Sequence, residues 1–163
     1  MSFRDRLSFD AARGEYLDSG IRYMMIRPDA LMGILHELPE ESRPAVLEAM
    51  ARSITKAGGK SAAAYRDMGA AEADALLGVI AATAPELGWG VWSFARSADG
   101  LTLTVANAPF PAGHGPAPAP VCAPIRGMLG AIGPMVLGGP VVVSETGCAA
   151  CGAAHCSFTI APA

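Results

Sequence analysis

Six residues near the end of this chain carry side chains that bind metals or do thiol chemistry: Cys122, Glu145, Cys148, Cys151, His155 and Cys156. Glu145 follows Cys122 by 23 positions and precedes Cys148 by 3, and Cys156 follows Cys148 by 8, with Gly147 and Gly152 between. Zinc takes four thiolate, imidazole or carboxylate ligands in a tetrahedron, and a glycine-punctuated knuckle closed by a distant residue supplies them well. Here a strand would deliver Glu145, the knuckle one of Cys148 and Cys151, a returning strand Cys156, and a preceding helix Cys122. In the first turn of that helix, free amide hydrogens would favour the Cys122 thiolate. Neighbours in a strand point to opposite faces, so His155 and Cys156 do not easily serve one ion together. Cys156, Phe158 and Ile160 would share the face turned to the core, leaving His155 outside. Spacing alone leaves Cys148 and Cys151 as rivals.

Other chemistries fit less well. Cys148-Ala149-Ala150-Cys151 has the spacing of a redox pair, but such motifs open a helix after a strand and Gly152 follows here. The His-X-Glu and Pro-Cys-X-X-Cys of a zinc deaminase are both missing from the sequence. Cysteines buried as small hydrophobes would leave Glu145 unexplained, because a carboxylate in an apolar segment must be paired, protonated or bound to a cation.

The 163 residues carry 12 basic and 15 acidic side chains, a net charge of −3, which excludes an electrostatic nucleic-acid binder. Only Arg126 and Glu145 are charged from Gly100 to Ala163. With 52% apolar residues the chain has material for one core, and a single domain over 14–163 is expected, preceded by a flexible polar arm at 1–13. No stretch reaches the roughly 20 apolar residues of a membrane helix, and the charged opening segment leaves no signal-peptide core. A soluble cytoplasmic protein with reduced thiols is the expectation.

The elements that must position the cluster follow from pattern. Gly14 to Arg27 favours a strand ended by Pro28, and Asp29 caps a short helix with Leu31, Met32, Ile34 and Leu35 on its apolar side. Ser42 and Pro44 open a helix carrying Val46, Leu47, Met50 and Ile54, which Gly58-Gly59 breaks or ends and Lys60 to Met68 resumes. Another helix is expected from Ala70 to Ala84, with Pro85 after it. Trp89 to Ala95 and Leu101 to Asn107 form a hairpin joined by Arg96 to Gly100, with Leu101, Leu103 and Val105 on the packed face. Pro109 to Pro120, with five prolines, reads as an extended loop. Val121 to Leu137 is a buried helix whose Gly127, Gly130 and Gly133 form a groove for a close neighbour. Val141 to Ser144 and Ser157 to Ile160 are the last strands.

The run Gly138, Val141-Val142-Val143-Ser144-Glu145, Cys148 and Cys156-Ser157-Phe158 resembles a V4R (4-vinyl reductase) domain: an apolar strand ending in Glu, with Cys three and eleven residues later and then an aromatic. Gly88-Trp89-Gly90 and Asn107-Ala108-Pro109-Phe110 are also similar to that family. The resemblance implies an α+β fold, shared with subunits of the TRAPP transport-particle tethering complex, in which a small antiparallel sheet packs with several helices around a hydrophobic pocket, commonly as a homodimer. In its aromatic-sensing bacterial regulators three Cys and one Glu hold a zinc ion. The matching positions are Cys122, Glu145, Cys148 and Cys156, with Cys151 an extra thiol, and such a four-ligand site is structural.

The expected function is a zinc-containing binding domain for a hydrophobic ligand, aromatic or lipid-like, acting as sensor or carrier. Candidate lining residues are Trp89, Trp92, Phe94 and Phe110, with Met24, Met25 and Met32, and His114 as a polar gate. The alternative from the same family is a bacteriochlorophyll-biosynthesis accessory or 4-vinyl-reductase-like protein handling a tetrapyrrole. The chain has no Gly-X-Gly-X-X-Gly nicotinamide or flavin fingerprint, so an enzymatic role would need a partner. A third reading makes the apolar helix Val121 to Leu137 a partner surface.

Overall fold

Alternation of Leu101, Leu103 and Val105 with Thr102 and Thr104 makes a strand with one apolar face, and the chain builds its larger sheet around it. The computed structural model describes residues 2–67 and 72–163, and for 65–67 the backbone alone. Four strands, β4 (Val91–Ser97), β5 (Gly100–Ala106), β6 (Val141–Gly147) and β7 (Cys156–Pro162), lie in the order β4-β5-β7-β6, all antiparallel. Leu101, Leu103 and Val105 pair with Ile160, Phe158 and Cys156, and all six are buried on one face. Pairing of Ser97 with Gly100 shortens the expected five-residue hairpin loop to Ala98-Asp99. Gly100 is required there: its φ is 139°, and a Cβ would strike the Ile160 carbonyl.

Helices cover the buried face. α6 (Ala123–Leu137) packs against the sheet and against α3 (Arg43–Asp67), with α4 (Ala73–Glu86) beside them. Two of the three glycines expected to form one groove on α6 lie where α3 crosses: a Cβ on Gly127 would collide with the Ala51 carbonyl, and one on Gly130 would sit 3.1 Å from Thr55 Oγ1, whereas Gly133 faces the sheet, where a Cβ would meet Val141 at 2.7 Å. The Thr55 hydroxyl lies 2.9 Å from the Gly127 carbonyl and 3.0 Å from that of Ala51. Arg126 is paired with Glu48 of α3 at 2.6 Å. Because α6 is largely buried beneath α3 and the sheet, it is not a free partner surface.

Several elements differ from expectation, each for a local reason. α3 runs straight through Gly58-Gly59: a Cβ on Gly58 would come within 3.0 Å of the Met128 sulfur, so this glycine permits close packing rather than ending the helix. Pro85 falls within the last turn of α4, not beyond it. The starts and ends expected at Met68 and Ala70 lie outside the described residues. Pro109–His114 is a helix, α5, with Pro109 at its first position, where a missing N–H costs little, and with Phe110 buried.

The segment expected to be a flexible arm is built into the structure instead. Helix α1 (Phe3–Arg6), opened by a Ser2–Asp5 capping box, buries Phe3 against Tyr23 at 5.2 Å. It leads into a second antiparallel sheet of β1 (Ser8–Asp10), β2 (Glu15–Asp18) and β3 (Ile21–Tyr23). The expected strand at 14–27 is thus two strands, folded back at Ser19-Gly20, whose φ values of 51° and 78° suit a type I′ hairpin turn. Asp18, 4% exposed, pairs with Arg6 at 3.2 Å and ties α1 to this sheet. α2 (Pro28–Gly33) follows, with Pro28 opening it and Asp29 inside its first turn rather than at the cap. No helix among the described residues is long and apolar enough to cross a membrane.

Candidate functional site

Three closely spaced segments and one distant residue, Cys122, bring the cluster together. The apolar run of β6 ends at Glu145, and a bulge between Glu145 and Gly147 shifts the register just before the strand ends. Cys148 then starts a 3-10 turn, Ala149–Cys151, closed by Gly152 at φ 92°, and the carbonyl of Cys148 accepts from the amides of Cys151 and Ala153. Cys156 opens β7, and Cys122 is the residue that precedes the first turn of α6.

The Cys122 sulfur lies 3.3 Å from that of Cys156 and 4.0 Å from that of Cys148. Zn–S bonds of about 2.3 Å in a tetrahedron put sulfurs about 3.8 Å apart, so the separations bracket that spacing. The Cys122 amide donates to Glu145 Oε2 at 3.1 Å and the Ala149 amide to the Cys156 sulfur at 3.4 Å. Glu145 Oε1 is buried with no hydrogen-bond partner among the described residues. One ligand atom from each of Cys122, Glu145, Cys148 and Cys156 lies within 4.8 Å of all the others, and the four could hold a metal ion. Cys151 and His155 are exposed and outside the group, so the turn resolves the rivalry of spacing by turning Cys148 inward.

The electrostatics call for a cation. Burial, then the Cys148 contact, pushes the Glu145 carboxyl up to about 8. Hydrogen bonding to Cys148 and Cys156, with burial and the Glu145 charge, pushes the Cys122 thiol up, and the same Cys122 contact pulls Cys148 down. Cys156, lowered by Cys122 but raised by Cys148 and by burial, comes to about 11. Four acidic groups in one buried space cannot all ionise without a counter-charge, which a metal ion held there would supply.

A second feature lies further along α6. A cavity of about 720 Å³ is walled by α1 and the first sheet through Phe3 and Tyr23, by α3 and α4 through Ser61, Ile80 and Thr83, and by α6 through Met128 and Ile132. Trp89, Trp92 and Phe110 line it; Trp89 and Phe110 meet edge-on at 5.2 Å, and the Trp92 indole donates to the Trp89 carbonyl at 3.0 Å. Phe94 does not reach this cavity. It packs on Trp92 at 6.0 Å and lines a separate depression with Leu77 and Arg96. Met24 and Met25 line the cavity, whereas Met32 is fully buried core. His114 ends α5 against His36, with ring centres 4.5 Å apart, and is not part of the wall. The walls from α1, α3 and α4 went unforeseen, although Ser61 and Thr83 interrupt helical apolar faces with hydroxyls and carry a readable signal.

The family model described as the V4R domain matches residues 101–162. A comparison with curated proteins gives no match. Among solved structures, the fold is similar to that of the phenol-responsive sensory domain of the transcription activator PoxR, crystallised with phenol: the TM-score is 0.82 at 17% identity, over 98% of this chain and 86% of that one. It is also similar to a vinyl-4-reductase family protein from Methanocaldococcus jannaschii, with a TM-score of 0.52 at 11% identity, over 86% of this chain and 98% of that one. At such identities the likeness carries the fold. The segment that matches the V4R domain model, 101–162, supplies β5, α6, β6, β7 and every member of the cysteine–glutamate cluster.

Proposed function

We propose that the protein is a small-molecule-binding domain of the sensory type, taking a hydrophobic ligand, aromatic or lipid-like, in its cavity and a structural zinc ion at Cys122, Glu145, Cys148 and Cys156. The observation that carries this reading is the cavity of about 720 Å³, walled by Trp89, Trp92 and Phe110, in the fold of a phenol-responsive sensory domain. Binding sites for small organic molecules are concave, mostly apolar and of roughly 300–1,000 Å³.

Zinc is supported by the donor set, by the partnerless Glu145 Oε1 and by sulfur separations that suit it. With four protein ligands it would hold β6, the 3-10 turn, β7 and the start of α6 together, leaving no position for a catalytic water. α6 carries Cys122 at one end and the cavity residues Met128 and Ile132 further along, so a single rigid element joins metal and ligand sites.

Calorimetric titration of purified protein with phenol tests the ligand half. Saturable one-site binding with a negative heat-capacity change is expected, weakened at least about tenfold by Phe110→Ala; no binding by phenol, toluene or a fatty alcohol would refute it. Metal analysis should give one zinc per chain. Visible absorbance of freshly purified protein would instead favour the tetrapyrrole-handling alternative. A homodimer belongs to the same reading, and light scattering should then give twice the chain mass.

A further inference from the structure

The cavity is several-fold larger than one aromatic ring needs. An apolar cavity on the order of 150 Å³ holds benzene, and this one measures about 720 Å³. Its wall is buried at Trp92, Phe110 and Ile132, yet the same space is lined by Met24 and Met25, 75% and 79% exposed, and by Ile26. Three consecutive large apolar side chains left in water at the edge of a cavity mark a binding surface. A single ring held between Trp89, Trp92 and Phe110 would leave them uncovered.

The charge pattern restricts the ligand further. Arg4, Arg22 and Glu86 are the charged residues of the wall, and none is buried. Arg22 pairs with Glu15 at 3.2 Å, and Glu86 accepts the Arg4 amide at 2.9 Å. An ionised group taken inside would lose its hydration without gaining a buried partner. Thr83, buried, and Ser61, half-buried, present hydroxyls that can donate to or accept from a neutral polar group.

We propose that the ligand is an uncharged amphiphile longer than a single ring, its polar group held by the Thr83 and Ser61 hydroxyls and its apolar body reaching Met24, Met25 and Ile26. This rests on the ligand-binding reading above and adds the length and charge of what is bound.

The test is a tryptophan-fluorescence titration of the full chain as purified, with phenol, 4-hexylphenol and 4-hexylbenzoate. Each methylene fully buried strengthens binding about fourfold, so 4-hexylphenol is expected to bind at least about 100-fold tighter than phenol. The charged 4-hexylbenzoate is expected at least about tenfold weaker than 4-hexylphenol. Met24→Ser combined with Met25→Ser should weaken 4-hexylphenol about tenfold more than it weakens phenol, and equal weakening of the two would overturn the placing of the apolar body there. Thr83→Val should weaken both phenols about fivefold or more. Phenol binding as tightly as 4-hexylphenol overturns the proposal while the ligand-binding reading stands. Equal binding of the benzoate overturns its charge claim. If neither phenol binds a chain that is folded by circular dichroism, both fall together.

Discussion

Glu145→Gln should change stability in opposite directions with and without metal. In the metal-free chain the folded state holds the Glu145 carboxyl up to about 8 against an ordinary 4.5. The folded state therefore binds the extra proton, so the carboxyl's favourable contribution is full below 4.5 and is lost as pH rises toward 8. At pH 7 this gives an upper bound of about 3.4 kcal/mol, which partial exposure to water reduces to about 2 kcal/mol. Gln is neutral and keeps an oxygen for the Cys122 amide, so the metal-free variant should melt about 4–8 °C higher than the wild type. With zinc the order reverses. Structural zinc is worth roughly 10–16 kcal/mol over four ligands, so replacing one anionic ligand removes about 3 kcal/mol and about 100-fold in zinc affinity. Melting curves of both proteins at pH 7, with chelator and with excess zinc, read both signs. A variant that melts lower than wild type under chelator, and gains as much from zinc, would refute the reasoning.

Three further outcomes follow from the same geometry. Zinc binding at pH 7 should release about three protons, because Glu145, Cys122 and Cys156 all hold theirs above neutrality in the metal-free cluster; the zinc-derived stability is then lost as pH falls. Calorimetry in buffers of different ionisation enthalpy counts the protons, and fewer than one would contradict the assignment. Cys151→Ser and His155→Ala, both exposed and outside the cluster, should leave zinc content at one per chain, and loss in either would move the site. Gly127→Val should destabilise by about 3 kcal/mol or more in denaturant melts, since its side chain would run into the Ala51 backbone where α3 crosses α6; an unchanged midpoint would mean the helices do not meet there.

What could be read before folding depended on how local its cause is. The apolar faces of β5 and β7 are a period-of-two signal, and Cys156, Phe158 and Ile160 fall on the core face as that period requires. The close approach at Gly127 and Gly130 of α6 was readable because small residues recur at helical spacing, but that spacing did not separate them from Gly133, which packs on the sheet. Gly58-Gly59 misled because a glycine at a helix crossing and a glycine at a helix end look alike until the partner helix is known. The N-terminal sheet was missed because it rests on contacts between distant residues: Phe3 with Tyr23 and Arg6 with Asp18. Proline content hid α5, whose prolines occupy the first turn, where their missing amides are harmless. In the cluster, spacing narrowed the candidates, and the bulge after Glu145 with the 3-10 turn decided which thiols face inward. Phe94 shares a strand face with Trp92 but lies beyond the cavity, a distinction that periodicity does not contain.

The ligand-binding claim is tested most directly by the two tryptophans of the chain. Both line the cavity, so a proton–nitrogen correlation spectrum contains just two indole N–H signals, each reporting from the wall. On titration with 4-hexylphenol the expected result is that both signals move and saturate at one equivalent per chain, while the backbone amide signals of Ala149 and Ser157 beside the cysteine cluster stay in place. Indole signals that do not move at saturating ligand, or shifts spread evenly over the surface without saturation, would contradict a ligand held between Trp89, Trp92 and Phe110.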